Sequence, residues 1–407
     1  MGPLAGIKVL DLSRVLAGPW ATQALADMGA TVYKIERPKS GDDTRQWGPP
    51  WLKDANGNDT RESAYYLAAN RGKQSLAIDI ATPEGQGLVR QLTASCDVLV
   101  ENFKVGDLAR YGLAWSDLAP LNPRLVYCSI SAFGQSGPLA SAAGYDAMIQ
   151  GMGGLMSVTG NPDGTPGGGP QKVGVAVADL MTGMYAVSAI LGALYERTRS
   201  SLGQHIDLAL LDTQVAWLCN QNMNYLLSGK PPVRQGSQHP NIVPYGSFAT
   251  KDGHLMLAIG NDRQFASFMQ HAGRSDVAAD ARYQTNTGRL QHREDVLAIV
   301  STVLSTRTTR EWLDTLTPAA VPCGPINNLA EVFAEPQVQH RHLLMQLTNS
   351  QGVSVPQVRN PIVYSRSELS YRRAPPALGE HSDSVLAGEL GLDAPALAAL
   401  RARGVIE

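Results

Sequence analysis

Asp179 stands where a glycine-rich stretch meets a strongly apolar helical run, in Val177-Ala178-Asp179-Leu180. A carboxylate there has two readings. Asp is among the preferred helix N-caps, because its oxygen accepts an otherwise orphaned backbone amide. It is also a ready nucleophile, since a carboxylate needs no general base before attacking an acyl carbon. A helix N-terminus favours the ionised form, so the two roles are compatible. The preceding residues, 151–174, carry nine glycines. A flexible loop of that kind closing over the carboxylate would exclude water. Taken alone, the cap is the simpler reading.

A second group consists of cations. Arg37, Arg71, Lys73 and Arg110 are each ordinary surface charges when read singly, but they cluster beside the ends of strand-like runs. Phosphates favour arginine forks and helix N-termini, so the cluster suggests an anion site. Phe103, next to Asn102, offers a flat face to a base, or simply packs in the core. The long connection from Arg37 to Gln74 also carries Lys39 and Arg45, and ends Asn70-Arg71-Gly72-Lys73. Loops of that length inside compact domains are usually functional or disordered.

The elements that must position these groups alternate in type. Strands are expected at residues 7–12, 31–36, 75–80, 97–103 and 124–131. Helices are expected at Trp20–Met28, ended by Gly29, and from Pro83 to Ser95. Strands separated by helices need crossover connections, hence a mostly parallel sheet covered on both faces. Such a sheet carries its functional groups beyond the carboxyl ends of its strands, here Ser13-Arg14, Arg37, Asn102-Phe103 and Ser131. Residues 173–195 are apolar enough to resemble a membrane span, but Asp179, Thr182 and Ser188 argue for a buried core helix. Its buried stripe is expected to be Leu180, Met184, Val187, Leu191 and Leu194. Lys251-Asp252-Gly253 signals a hairpin, followed by helical runs near 263–273, 289–305 and 309–316. The expected division is a large domain over 1–200, a linker at 201–229, a small α+β domain at 230–329, and a return linker with the C-terminal part of the large domain at 330–407.

Composition excludes several functions. The chain has 34 Lys and Arg against 36 Asp and Glu, net charge −2, so it has no basic field to hold a nucleic acid. The four cysteines lie far apart without a CxxC pair, which fits a reducing cytoplasm rather than a disulfide framework or zinc module. The opening MGPLAGIKVLDL lacks the features of a secretory signal. Ser13-Arg14-Val15-Leu16-Ala17-Gly18-Pro19 is not GxGxxG, and Walker A, HExxH and GxSxG are missing. No metal site is expected.

Several segments together resemble the family III CoA-transferases, also called the CaiB/BaiF or formyl-CoA transferase family. They are VLDLSRVLAGPW (9–20), GATVYKIERPKSGD (29–42), NRGKQSLAIDI (70–80), DVLVENF (97–103), YCSISAFGQSGP (127–138), GYDAMIQGMGGLMSVTG (144–160), VGVAVADLMTGMYA (173–186) and PPALGEH (375–381). The resemblance implies a Rossmann-like large domain made from both chain ends, plus a small α+β domain, in an interlocked homodimer. It implies that Asp179 is the catalytic nucleophile. It implies a CoA site at Val15, Leu16, Ala17, Arg37, Asn70, Arg71, Lys73, Asn102, Phe103, Arg110, Tyr145 and Asp146, with CoA and acyl-CoA as substrates and no tightly bound cofactor. Leu16 stands where formyl-CoA transferase has glutamine, so formyl or oxalyl specificity is not implied. Segments 242–248 and 322–341 look most like family members acting on dicarboxylic acids. Succinyl-CoA is therefore the expected donor and a four- to six-carbon dicarboxylate the expected acceptor. Arg71, His239 and Arg45 are candidates for its second carboxylate.

Two other activities stay open at this stage. An α-methylacyl-CoA racemase shares the fold, but such enzymes carry a histidine base where this chain reads Gly144-Tyr145-Asp146. A silent CoA-binding protein would have no need to retain Asp179.

Overall fold

The computed structural model describes residues 1–407. They form two compact units. The larger one consists of Met1–Gly154, Val173–Asn222 and Gln337–Glu407, and so draws on both ends of the chain. Its sheet contains β1 (Lys8–Asp11), β2 (Thr31–Glu36), β3 (Lys73–Ala77), β4 (Val98–Glu101), β5 (Val126–Ser131) and β6 (His205–Ala209). The spatial order is β3-β2-β1-β4-β5-β6 and every pairing is parallel. This is the doubly wound Rossmann order, which reverses direction between β1 and β4. A crevice therefore opens beyond the carboxyl ends of those two strands.

Both faces of the sheet are covered. The helices that matter below are α1 (Ala17–Asp27), α2 (Pro83–Ser95), α3 (Asp146–Met152) and α4 (Val177–Ser200). On one face Ala21 and Leu25 of α1 and Val187 and Ile190 of α4 pack on Val9, Val32 and Val100. On the other, Leu88 and Leu92 of α2 join Leu386 and Leu397 from helices Ser382–Leu390 and Ala394–Ala402 over Leu10, Leu76 and Leu99. The C-terminal residues tie to the sheet edge: Asp79 N–H donates to Val405 O, and Glu407 N–H to Ala77 O.

The structure corrects several sequence expectations. Residues 201–229, expected as a linker, contain β6 and a helix over Leu210–Trp217. β6 lies at the sheet edge with alternate residues exposed, so it lacks the apolar run of the central strands. β3 starts two residues earlier than expected, because Lys73 pairs with Val32. α1 starts at Ala17, three residues before Trp20.

α4 has a mean hydropathy of 1.6 in its best window, enough by length and composition to cross a membrane. One side of it packs in the core of the larger unit, with 39% of that window buried, and Arg197 is anchored to Asp97 and to Arg124 O. Its buried stripe is Thr182, Gly183, Ala186, Ile190 and Ala193, with Val187 and Leu194. Met184 is 38% exposed. Small residues decide this: a Cβ on Gly183 would lie 2.7 Å from Ala17 O, so the glycine allows α1 to approach closely.

The second unit consists of Leu155–Lys172 and Met223–Pro336. The expected hairpin is present as Tyr245–Ala249 with His254–Ala258, and Cys323–Pro325 adds a third antiparallel strand. Phe265, Phe268, Val300 and Trp312 fill its core. The glycine-rich segment belongs to this unit, where Gly236 N–H donates to Gly160 O and Arg234 pairs with Asp163.

Beneath the strand ends of the larger unit runs a set of buried ion pairs. Lys73 meets Asp11 at 3.0 Å and Lys34 meets Asp42 at 2.9 Å, all four side chains fully buried. Lys73 also donates to Pro19 O and Asn70 Oδ1, so its three ammonium protons are used. Arg45 bonds Glu36, Glu62, the Tyr66 hydroxyl and Pro376 O. Arg71 bonds Asp27 through two nitrogens and also reaches Val358 O. Removing one partner of such a pair strands the other charge in the interior. Lys73→Met is expected to lower stability by about 3–5 kcal/mol, measured by denaturant unfolding; unchanged stability would show that the pair is dispensable.

Candidate active site

Two cavities open at the crevice, and Arg14 and Phe103 wall both of them. One, of about 110 Å³, is bordered by Arg37, Ile78 and Tyr111. The other, of about 210 Å³, is bordered by Val15, Leu16, Ala17, Tyr145 and Asp179.

The loop after β1 is held by its neighbours. Asn102 Oδ1 accepts the Arg14 N–H at 2.8 Å, and Asn102 Nδ2 donates to Arg14 O at 2.7 Å. This two-point clamp joins the loops beyond β1 and β4 where the sheet order reverses. Val15 has φ +70°, rare for a β-branched residue, and strain of this kind costs about 1–3 kcal/mol. The conformation persists because the Val15 N–H also points to Asp42, which is itself paired with Lys34. Arg14 pairs with Asp43 at 3.1 Å and lies 5.3 Å from the Phe103 ring centre. Its buried Nε has no acceptor within the chain.

Asp179 does not cap α4. It is the third helical residue, and Asp146 does the capping: Asp146 Oδ1 accepts the Ala178 N–H at 2.8 Å. Gln150 donates to the other Asp146 oxygen at 2.7 Å and accepts the Val173 N–H. The Asp179 carboxyl accepts no hydrogen bond and meets no cation within the chain. Burial, with a further push from the Asp146 charge, raises its pKa to about 7. The expectation that the helix terminus alone keeps it ionised is corrected: desolvation outweighs the terminus.

The structure gathers Val15, Leu16, Ala17, Asn102, Phe103, Tyr145 and Asp179 around one cavity, as the sequence suggests. Arg37 is exposed and borders the other. Arg110 is 72% exposed, pairs with Asp107, and precedes Tyr111, which borders that cavity. Four expected site residues are corrected. Asn70, Arg71, Lys73 and Arg45 are buried and spend their polar atoms inside the protein, so none has the free donors that a phosphate or carboxylate would need. His239 belongs to the second unit, where its Nδ1 accepts the Asn241 N–H.

One group, Tyr65, was missed; Arg14 was located by its place directly after a strand end, though without a role. Tyr65 gave no signal, because its place depends on the fold of the long connection. Burial, then the charges of Asp179, Asp146 and Asp42, hold its hydroxyl up at about 12, so it remains a protonated donor in their neighbourhood. No cluster of three or more His, Cys, Asp or Glu side chains is placed to hold a metal ion.

The carboxyl geometry generates a stability prediction. With its folded pKa raised, Asp179 keeps a proton that the unfolded chain loses above the usual carboxylate range. Stability contributed by this group therefore falls as pH rises toward about 7 and is level beyond. Asp179→Asn removes that slope, so the variant should melt above the parent, with the gap widening from pH 4 to about 7. A gap that stays constant with pH would contradict the raised pKa.

Comparison with known proteins shows the family. The model of CoA-transferase family III matches residues 4–382. A succinate–glutarate CoA-transferase of Agrobacterium fabrum is 54% identical over 385 residues, covering 95% of each chain. A succinyl-CoA:glutarate CoA-transferase of Mus musculus is 43% identical over 408 residues, covering 100% of this chain and 91% of that one. Among solved structures, a CaiB/BaiF family protein from Brucella suis is 46% identical with a TM-score of 0.83, covering 95% of this chain and 99% of that one. With its Rossmann-ordered sheet and an unpaired carboxyl in the crevice, the chain belongs to the family III CoA-transferases.

Proposed function

We propose that this enzyme moves CoA from succinyl-CoA to a four- to six-carbon dicarboxylic acid, with Asp179 as the covalent carrier. The observation that carries the reading is the Asp179 carboxyl, half-buried in the crevice without a donor or cation. The substrates in the relatives' names, succinate and glutarate, are both dicarboxylates.

The proposed path is a sequence of acyl transfers. Ionised Asp179 attacks the thioester carbonyl, giving a mixed anhydride and CoA thiolate. The thiolate attacks the aspartyl carbonyl, forming an aspartyl-CoA thioester and releasing succinate. The acceptor carboxylate attacks that thioester, and the returning thiolate takes the new acyl group and frees Asp179. Each attack needs the carboxyl unpaired and water excluded. Because Asp179 titrates near neutrality, the activating ionisation is available at physiological pH.

CoA is assigned to the two cavities that share Arg14 and Phe103 as wall. Its base and phosphates lie toward Arg37 and Tyr111, and its pantetheine arm passes Arg14 and Phe103 to reach Asp179. Arg37 and Arg110 remain the phosphate partners, joined by Arg14, whose Nε lacks an acceptor. The racemase reading is disfavoured because no histidine borders the Asp179 cavity. A silent CoA binder leaves the unpaired carboxyl without a purpose. We also assign the active form to an interlocked homodimer. The larger unit exposes Tyr145, Met152, Tyr195 and Leu202, apolar surface that a second copy would cover. A reducing cytoplasm suits the four free cysteines.

Purified protein with succinyl-CoA and either glutarate or pentanoate, products read by mass, tests the substrate assignment. A site that pairs the second carboxylate should favour glutarate by about 10⁴-fold or more, because pentanoate leaves the paired donor buried and unmatched. Equal use of pentanoate would refute the dicarboxylate assignment, and no transfer to any acid would refute the activity.

A further inference from the structure

A polar ladder crosses three adjacent strands beside the crevice. Glu101 ends β4, and its register partner on β5 is Ser129. Ser129 therefore neighbours the Glu101 carboxyl on one side, and its hydroxyl lies 2.9 Å from His205 Nε2 of β6 on the other. His205 stacks on Trp115 and meets the edge of Tyr127. The other end of the ladder is attached to the site. Glu101 Oε2 accepts the Phe103 N–H at 2.8 Å. Between them Asn102 clamps Arg14. Glu101 and the Asn102 side chain thus hold successive parts of the loop that walls both cavities.

We propose that Glu101, Ser129 and His205 form a positioning network that presets the 102–105 loop for CoA, with the proton on Glu101 favouring the binding state. The inference rests on the assignment of CoA to the crevice. None of the three residues borders the cavities there; they border a separate one with Trp115 and Lys104.

The chain of hydrogen bonds has two polarities. With Glu101 neutral, its O–H donates to Ser129 Oγ, and Ser129 donates to a neutral His205. Loss of one proton reverses the chain: the Glu101 proton passes to Ser129, the Ser129 proton to His205 Nε2, and the His205 Nδ1 proton leaves to solvent, so that Ser129 donates to the carboxylate and His205 Nε2–H to Ser129. Burial is the main influence on both ends, raising Glu101 to about 7 and lowering His205. The other ionisable groups in reach are Tyr127, Cys128, Asp207, Asp117 and the Lys104 that borders the same cavity. Ionised Glu101 would place a buried negative charge two residues from the wall that receives a polyanion, which weakens binding. By linkage, bound CoA raises the affinity of Glu101 for its proton.

Calorimetry of CoA binding from pH 6 to pH 8.5 tests this with the parent, Glu101→Gln, Glu101→Ala and Ser129→Ala. Glu101→Gln keeps a neutral acceptor for Phe103 N–H and a donor for Ser129. It should bind like the parent at pH 6 and lose the component of pH dependence centred near 7. Glu101→Ala should raise Kd and the donor KM by about tenfold, the scale of one lost buried hydrogen bond, with kcat little changed. If Glu101→Ala does not fold, the Glu101→Gln profile and the Ser129→Ala affinity decide. Parent-like pH dependence in Glu101→Gln, or parent-like affinity in Ser129→Ala, overturns the proposal while leaving CoA binding intact. A parent that fails to bind CoA overturns both the network and the assignment beneath it.

Discussion

A carboxyl group kept from water without a donor or a cation is costly to ionise, and the site depends on that cost. Asp179 would relax into an ordinary cap if the first turn of α4 needed one. Asp146 removes the need by accepting the Ala178 N–H itself, with Gln150 completing its shell. Its charge also pushes Asp179 further from the usual carboxylate range. The cap and the proposed nucleophile are thus separate residues on separate helices. The close approach of α1 to Gly183 holds the start of α4 beside the loop beyond β1.

The frame under the site solves a different electrostatic problem. Asp11, Lys34, Glu36 and Lys73 lie within or at the ends of apolar strands and are almost entirely buried. Charges in that position persist only when paired and hydrogen-bonded. The pairs link β1, β2 and β3 to the loops that follow them, and Asp42 joins the same network to the strained Val15. Loop strain at the crevice therefore stands on fixed charges rather than on loop packing alone.

The architecture was legible where it is local. Alternating strands and helices implied a parallel sheet, and a strand-end rule located Arg14, Asn102 and Phe103. The position of Asp179 at a helix start was visible, but its freedom was not, because Asp146 lies 33 positions earlier in the chain. Arg45, Arg71 and Lys73 were misread for the same reason. Cations after strands look alike whether they await a phosphate or serve Glu36, Asp27 and Asp11. The available signal was on the other partner: Asp11 and Glu36 sit in strands otherwise built for the core, where an unpaired acid is not tolerated. β6 escaped notice because an edge strand needs less apolar sequence than a central one.

The path of oxygen through Asp179 tests the central claim most directly. Glutarate labelled with ¹⁸O in its carboxyl groups would be turned over with succinyl-CoA and unlabelled enzyme, and the peptide containing residue 179 read by mass. If the acceptor attacks an aspartyl thioester and leaves through an aspartyl anhydride, one acceptor oxygen remains on the Asp179 carboxyl after each turnover. The account predicts ¹⁸O in that peptide, confined to residue 179, and its later appearance in released succinate. Formation of glutaryl-CoA with no label at residue 179 would contradict it.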